Sequence, residues 1–154
     1  MKEKKLPRQT DAPWFEENLR SICRRLKKET SASIALLTLP PIGEDIKSEA
    51  CRRAEKYSAI IEKVAAEERV ALLPFNRILN KGLVAAKKKP RFHYDGDPDH
   101  LMYRTLVRYY LLSESFDEIS ASYNFNYLCD FLHLNSRGAG TAARLIENFI
   151  KNQK

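Results

Sequence analysis

Glycine is scarce in this sequence and cysteine is scarcer, since 154 residues include five glycines and three cysteines. The cysteines form no CxxC pair, and an odd number leaves at least one thiol outside any disulfide scheme, so we expect structural thiols in a reducing compartment. No apolar run approaches the roughly 18 residues of a membrane-spanning helix, and the first residues contain no apolar signal segment. We therefore expect a cytoplasmic protein, unless an upstream segment carries targeting information.

Positive charge is in surplus, but it is not concentrated. The formal net charge is +7, and the 27 Lys and Arg residues are interleaved with glutamates along the whole chain. This spread favours a solvated surface over a nucleic-acid interface. Apolar residues at 44% and charged residues at 31% are values of a globular domain. Residues 1–10 are basic and have nothing to bury, so we predict disorder there and one domain over residues 11–154.

The first half of this domain alternates helical and strand-like patterns. Asp11 can cap a helix whose apolar residues recur at helical spacing, and residues 33–39 then form an apolar run that ends at two prolines. Residues 48–68 give a second amphipathic helix, and residues 70–75 repeat the apolar run. Continuous apolar runs, unlike alternating ones, indicate strands that are buried on both faces of a parallel sheet. The predicted class is α/β with right-handed crossovers.

The second half is mostly helical. A short amphipathic helix at residues 76–86 precedes a basic loop at residues 87–100, which contains two prolines and a glycine. Residues 99–123 have too many apolar positions for one narrow stripe, so we expect a helical stretch that is kinked near residues 113–115 and covered on more than one side. Residues 125–129 are a candidate for a third short strand.

Asp130 and His133 form the most informative pair of side chains. They lie three residues apart, before a final helix that takes Asn135 or Ser136 as its cap. A carboxylate that orients an imidazole, with the imidazole free to take a proton from a hydroxyl, makes up two thirds of a hydrolytic triad. A loop at the carboxyl end of a parallel strand is also where α/β sheets place their chemistry. In the structural alternative, Asp130 caps a turn and His133 is a packed surface imidazole.

Three segments together resemble the SGNH, or GDSL-type, family of serine esterases and lipases. They are the helix and strand of residues 14–41, which lead into Leu-Pro-Pro-Ile-Gly; the helix of residues 52–68 with the strand after it; and Asp-Phe-Leu-His-Leu-Asn from Asp130 onward, which runs into Gly138 and a terminal helix. The resemblance implies a three-layer α/β/α fold with a parallel, flavodoxin-like sheet. It also implies that His133 is the general base and that Asp130 holds the imidazole and stabilises its cationic form.

The nucleophile block of that family does not occur in this sequence. The block reads Gly-Asp-Ser, and none of the five glycines is followed by Asp and Ser. The nearest string is Gly96-Asp97-Pro98, and the Gly and Asn blocks of the family's oxyanion hole are missing as well. The resemblance therefore implies the C-terminal portion of such a domain, without its N-terminal strands. This chain would supply only Asp130 and His133 to a Ser-His-Asp triad.

The resemblance has further implications for substrate, partners and activity. The substrate would be a small-molecule acyl or sugar ester, and residues 76–122 would form a helical, lid-like insertion, with core packing as the alternative. The strand at residues 33–39 would have an open apolar edge, so we expect it to pair with a second copy or with the missing N-terminal segment. We expect this chain to be inactive without the missing nucleophile block, because a triad without one member loses about four to six orders of magnitude in rate.

The alternative hypothesis is a non-catalytic remnant that binds a partner through its open sheet edge or its basic loop. That loop contains Lys87, Lys88, Lys89 and Arg91 beside Phe92 and Tyr94. Basic and aromatic side chains together suit nucleic acid or an anionic membrane surface, although a basic loop is most often only solvated. We expect no nucleic-acid partner and rank a membrane surface low.

Acidic residues in the same loop match a calcium site poorly. Asp95, Asp97 and Asp99 mimic the first ligands of a calcium loop. Its sixth position is His100 and its twelfth is Leu106, where Gly and Glu would be required. Turn formation is the favoured role of these aspartates.

Two other arrangements of reactive side chains are weaker still. His93 and His100 flank the aspartates, but neither a helical His pair nor a set of cysteines accompanies them. Cys129 stands beside Asp130 and near His133, which suggests a cysteine nucleophile, but a residue that ends a buried strand usually faces the core. We therefore predict neither a metal nor a cofactor.

Overall fold

The computed structural model describes residues 11–153, so the disorder predicted for residues 1–10 lies outside the described residues. The described elements are α1 (Ala12–Glu29), β1 (Ala35–Leu37), α2 (Glu49–Glu67), β2 (Ala71–Leu73), α3 (Phe75–Val84), α4 (Asp99–Leu111), α5 (Phe116–Tyr123) and α6 (Ser136–Lys151). None of these helices is both long enough and apolar enough to cross a membrane. The mixed α/β class that the sequence predicts is confirmed.

The sheet consists of β1 and β2, which pair in parallel. Ala35 lies opposite Ala71, and Leu37 lies opposite Leu73. Helix α2 connects the two strands and contacts both of them, and α6 contacts β2. The parallel pairing was predicted correctly. The prediction that both strands are fully buried is wrong, because all three residues of β1 are only half-buried. Within residues 11–153 the sheet has two strands, so each strand has a neighbour on one side only.

Side-chain caps fix the helix boundaries. Asp11 accepts a hydrogen bond from Trp14 N (2.8 Å) at the start of α1, and Asn135 accepts one from Gly138 N (3.0 Å) at the start of α6. The stretch predicted to be kinked is divided into α4 and α5, with Ser113 in the left-handed region at φ 56° between them. A capping box formed by Ser115 and Glu118 starts α5. The local sequence signals thus place these boundaries correctly.

Two apolar clusters lie on either side of the loop that joins α5 to α6. The first contains Leu101, Ile119, Tyr123, Phe125, Leu128 and Phe131, and the second contains Phe75, Leu79, Leu83 and Tyr127. The joining loop therefore contributes buried side chains to both clusters, which holds it against α3, α4 and α5. The lid-like role of residues 76–122 stays a prediction, since α3 and α4 each bury part of their apolar surface in these clusters.

The third strand predicted at residues 125–129 is wrong. This segment is part of the joining loop, and its ladder contact is a single antiparallel bridge between Leu128 and Leu134. Its apolar residues are buried in two different clusters instead of lining the two faces of a sheet. The backbone N–H groups of residues 126–128 donate to the side chain of Glu44 instead of to a neighbouring strand.

Candidate active site

The loop of residues 124–135 presents Asp130 and His133 at the tip of a tight turn. Cys129 N donates a hydrogen bond to His133 O (2.9 Å), and Asn135 N donates one to Tyr127 O (2.9 Å). These backbone bonds bring the two ends of the turn together. The residues between them are therefore held in a fixed position at the start of α6.

Both oxygens of Asp130 are used within this turn. Oδ1 accepts hydrogen bonds from the backbone N–H groups of Leu132 and His133, each at 2.7 Å. Oδ2 lies 2.8 Å from His133 Nδ1. Because an ionised carboxylate only accepts hydrogen bonds, the proton in this contact belongs to Nδ1, which leaves Nε2 as the basic nitrogen. The same carboxylate thus closes the turn and orients the imidazole.

Burial differs sharply between the two side chains. The Asp130 side chain is 4% exposed, whereas that of His133 is 63% exposed. An exposed imidazole can reach a hydroxyl from another segment or from a bound molecule, and a buried carboxylate holds its geometry without competition from water. The pair can therefore act as a general base and its orienting acid.

Glu44 anchors the first part of this loop and was not predicted from the sequence. Its Oε1 accepts hydrogen bonds from Tyr127 N (2.6 Å) and Leu128 N (2.9 Å). Its Oε2 accepts them from Asn126 N (2.6 Å) and Asn126 Nδ2 (3.0 Å). Glu44 is itself buried. These four donors satisfy its acceptor oxygens, which offsets the cost of removing the carboxylate from water. A single glutamate in a loop has no local pattern that would reveal such a role.

Gly43 holds the other end of the turn. Its N–H donates a hydrogen bond to Phe131 O at 2.8 Å, next to Asp130. Gly43 has φ +69°, a left-handed conformation that glycine adopts without a steric penalty. Two consecutive residues, Gly43 and Glu44, therefore form hydrogen bonds to the loop on both sides of Asp130. The Pro-Pro-Ile-Gly segment that follows the first strand thus contacts the turn of the candidate site through its glycine.

A polar network connects the turn to α6. Asn135 caps α6 through Oδ1 and donates through Nδ2 to Ser120 Oγ (2.7 Å). Ser120 Oγ in turn donates to Leu128 O (2.7 Å). The cap that the sequence predicts is therefore also a fixed link between α5, the loop and α6.

Cys129, the neighbour of Asp130 in the chain, is poorly suited to act as a nucleophile. It is buried, and burial, together with the charge of Asp130, raises the pKa of its thiol from 9.0 to about 12. At neutral pH the sulfur is therefore protonated and weakly nucleophilic.

The other predicted donors occupy turns. Asp97 N donates to Asp95 Oδ1 (3.1 Å), and Asp99 N donates to Asp97 Oδ1 (2.9 Å). His93 Nδ1 lies 3.2 Å from Asp45 Oδ2, a second imidazole–carboxylate contact that the sequence did not reveal. Among residues 11–153, no three His, Cys, Asp or Glu residues are grouped in a way that could hold a metal ion.

Solved structures of esterases have a similar fold. An arginine-to-alanine variant of Axe2, an acetyl-xylooligosaccharide esterase from Geobacillus stearothermophilus, matches with a TM-score of 0.55 and 16% identity over 90% of this chain and 46% of the esterase. LAE5, an alpha/beta hydrolase enzyme from the metagenome of Lake Arreo in Spain, matches with a TM-score of 0.55 and 16% identity over 93% of this chain and 49% of the enzyme.

These matches concern the fold. No family model and no curated protein matches the sequence. The chain spans about half the length of the solved structures that it matches. The architecture of residues 11–153 is thus similar to about half of the fold of these esterase and hydrolase structures.

Proposed function

We propose that this chain belongs to the SGNH, or GDSL-type, serine ester hydrolases and supplies the base and the acid of their triad. The observation that carries the proposal is the 2.8 Å contact between Asp130 Oδ2 and His133 Nδ1, with the carboxylate buried and the imidazole exposed. The esterase-like fold of the solved structures supports it. The family assignment and both residue roles belong to this proposal.

In the proposed reaction, His133 Nε2 takes the proton from a serine hydroxyl as the serine oxygen attacks the ester carbonyl. The imidazolium, held by Asp130, then gives that proton to the leaving alcohol, and water hydrolyses the acyl-enzyme by the same route. The substrate class is a small-molecule acyl or sugar ester. Axe2 is an acetyl-xylooligosaccharide esterase, which supports that class.

The serine in this proposal comes from a Gly-Asp-Ser segment that is not among these 154 residues. A catalytic mutant of Axe2 carries alanine in place of a serine, which supports serine chemistry on this fold. We therefore expect this chain alone to lack most of the activity, by about four to six orders of magnitude.

The test compares this chain alone with a fusion that places an N-terminal α/β segment carrying Gly-Asp-Ser ahead of Met1. A fluorophosphonate probe reports an activated serine, and p-nitrophenyl acetate reports hydrolysis. We expect labelling and turnover in the fusion and their loss on His133→Ala. Labelling of the chain alone that disappears with His133→Ala would place the nucleophile inside these 154 residues and contradict the proposed division of the triad.

The second candidate is a binding module without catalysis. It is favoured by the half-burial of β1, which leaves apolar strand surface for a second copy or for a complementary segment. Sedimentation velocity separates the two candidates. A dimer that Leu36→Lys dissociates, together with a fusion that is never labelled, would favour the binding module, whereas a labelled fusion favours the hydrolase.

A further inference from the structure

A cleft of about 400 Å³ lies between the end of α3, the basic loop and the segment after Glu44. We name it the lysine cleft after the cationic side chains on its wall, which are Lys47, Lys88 and Lys89. Leu83 and Val84 form an apolar part of the wall. The cleft thus combines positive charge with apolar surface.

The acidic groups on the wall already have partners. Both oxygens of Glu44 accept N–H groups of the loop after α5. Asp45 accepts a hydrogen bond from Lys47 N (3.0 Å) through Oδ1 and faces His93 Nδ1 (3.2 Å) through Oδ2. The carboxylates of the wall are therefore engaged by donors other than lysine ammonium groups.

The lysines themselves are exposed, and they form no ion pair with any residue that the structure describes. Ion pairs within residues 11–153 involve other lysines, such as Lys27 and Lys63, but not Lys47, Lys88 or Lys89. A neighbouring cleft of about 340 Å³ shares Lys88 with the first one and adds Lys87. Within the described residues, four lysines without an ion pair thus line two neighbouring clefts, although lysine and arginine are spread along the whole sequence.

We propose that the lysine cleft binds a small organic phosphate. A phosphate monoester carries close to two negative charges and several acceptor oxygens, which suits several ammonium groups better than a single carboxylate would. Its apolar part packs against Leu83 and Val84. The binding is electrostatic in the main, so it weakens as salt screens the ammonium groups.

Phenyl phosphate is a suitable probe, with benzyl alcohol as its neutral counterpart. Titration is followed by backbone amide shifts in the nuclear magnetic resonance spectrum of the whole chain. We expect saturable shifts at residues 83–93 with phenyl phosphate and not with benzyl alcohol. The double variant Lys88→Gln/Lys89→Gln should weaken binding about tenfold, because each ammonium–phosphate contact contributes a modest part of the affinity.

The matched control is Lys28→Gln/Lys56→Gln, which changes the net charge equally at two exposed helix positions. Unchanged binding in this control supports a local site. Equal weakening in both double variants, equal shifts with benzyl alcohol, or no saturable shift at all would each overturn the proposal. Lys47→Gln repeats the test from the opposite wall if the first double variant does not fold.

Discussion

At the scale of single residues, Asp130 has two separable tasks. It closes the turn by accepting two backbone N–H groups, and it orients His133. Asp130→Ala leaves those N–H groups without their acceptor, so we expect a loss of about 1–3 kcal/mol in the free energy of unfolding. His133→Ala should change it by less than about 0.5 kcal/mol, because this side chain is mostly exposed. Urea unfolding of both variants measures the difference, and equal losses would contradict it.

The raised pKa of Cys129 predicts that the stability of the fold depends on pH. Below pH 9 the thiol is protonated in both the folded and the unfolded state, so it does not affect the equilibrium between them. Between pH 9 and about 12 the unfolded thiol ionises while the folded one does not, so the unfolded state is favoured increasingly.

We expect the free energy of unfolding to fall over this range by at most about 1.4 kcal/mol per pH unit from Cys129. Urea unfolding of the chain and of Cys129→Ala at several pH values isolates that contribution, because all other titrations are shared. A Cys129→Ala variant with the same slope as the parent would show that the thiol does not contribute.

At the scale of single residues, the contact that could be predicted from the sequence is the local one. Asp130 and His133 are three residues apart, so a turn alone brings them together. Glu44 binds donors more than 80 residues away, and no short motif records that. The contact within one turn could be predicted, and the residue that anchors the turn could not. The catalytic roles of Asp130 and His133 stay predictions.

At the scale of elements, α6 depends on a close approach between its first turns and the loop. A Cβ added to Gly138 would lie 2.3 Å from Tyr127 O, and that carbonyl cannot move freely because it accepts Asn135 N. Gly140, two residues later in α6, has only the flexible end of Arg144 near it, at 3.7 Å. The two glycines therefore form a matched pair within one helix.

Gly138→Ala should destabilise the chain by about 1–3 kcal/mol through overpacking. Gly140→Ala should stabilise it by about 0.5–1 kcal/mol, because alanine is the better helix former. Thermal unfolding of both variants gives the comparison. Opposite signs are expected, and a neutral Gly138→Ala would mean that the contact with the loop relaxes easily.

The hydrogen bonds between Glu44 and the joining loop should contribute to the stability of the fold. Glu44→Gln replaces one acceptor oxygen by an NH₂ group that faces N–H donors, so we expect a loss of about 1–3 kcal/mol in the free energy of unfolding. Glu49→Gln removes the same charge from a mostly exposed residue that is paired with Arg53, and should have little effect. Amide hydrogen exchange of residues 126–128 should also accelerate in Glu44→Gln alone.

Helices and strands, too, could be predicted from the sequence only where local residues determine them. Helix starts at Asp11 and Asn135 carry their own caps, so they were placed correctly. Residues 125–129 have the composition of a strand, but a strand needs a neighbouring backbone, and here a carboxylate provides the acceptors. The interruption near Ser113 was predictable because the apolar residues exceed one helical stripe.

At the scale of the whole molecule, α4 has two apolar faces. One is buried through Leu101 and Thr105. The other carries exposed side chains at helical spacing, namely Tyr103, Leu106, Val107, Tyr110 and Leu111. A stripe of this size lowers solubility in an isolated chain.

The double variant Val107→Lys/Leu111→Lys should raise the solubility limit and reduce binding of an apolar dye, with a change in unfolding free energy within about 0.5 kcal/mol. Leu101→Lys, on the buried face, should unfold the chain. Precipitation by polyethylene glycol, together with urea unfolding, measures both. A large loss of stability in the exposed-face variant would show that this stripe is packed in solution.

The α/β class could be predicted at this scale because helix and strand patterns alternate in the first half of the chain. The length of the strands could not be predicted, since apolar runs of six or seven residues contribute only three residues each to β1 and β2. The cytoplasmic location and the pairing partner of β1 stay predictions.

The hydrogen bonds between Glu44 and the joining loop also predict an order of events in folding. Its partners lie 82 to 84 residues away in sequence, whereas the helices and their caps close locally. Closing so long a loop costs chain entropy, so we expect these contacts to form after the local ones and a substitution there to change mainly the unfolding rate. We expect Glu44→Gln to unfold faster and refold at nearly the parent rate. Residues 126–128, which hold the Asp130 turn against the Glu44 segment, would then be fixed only late in folding. A chain stalled before that step would keep its helices and their caps, but its Asp130 turn would not be anchored.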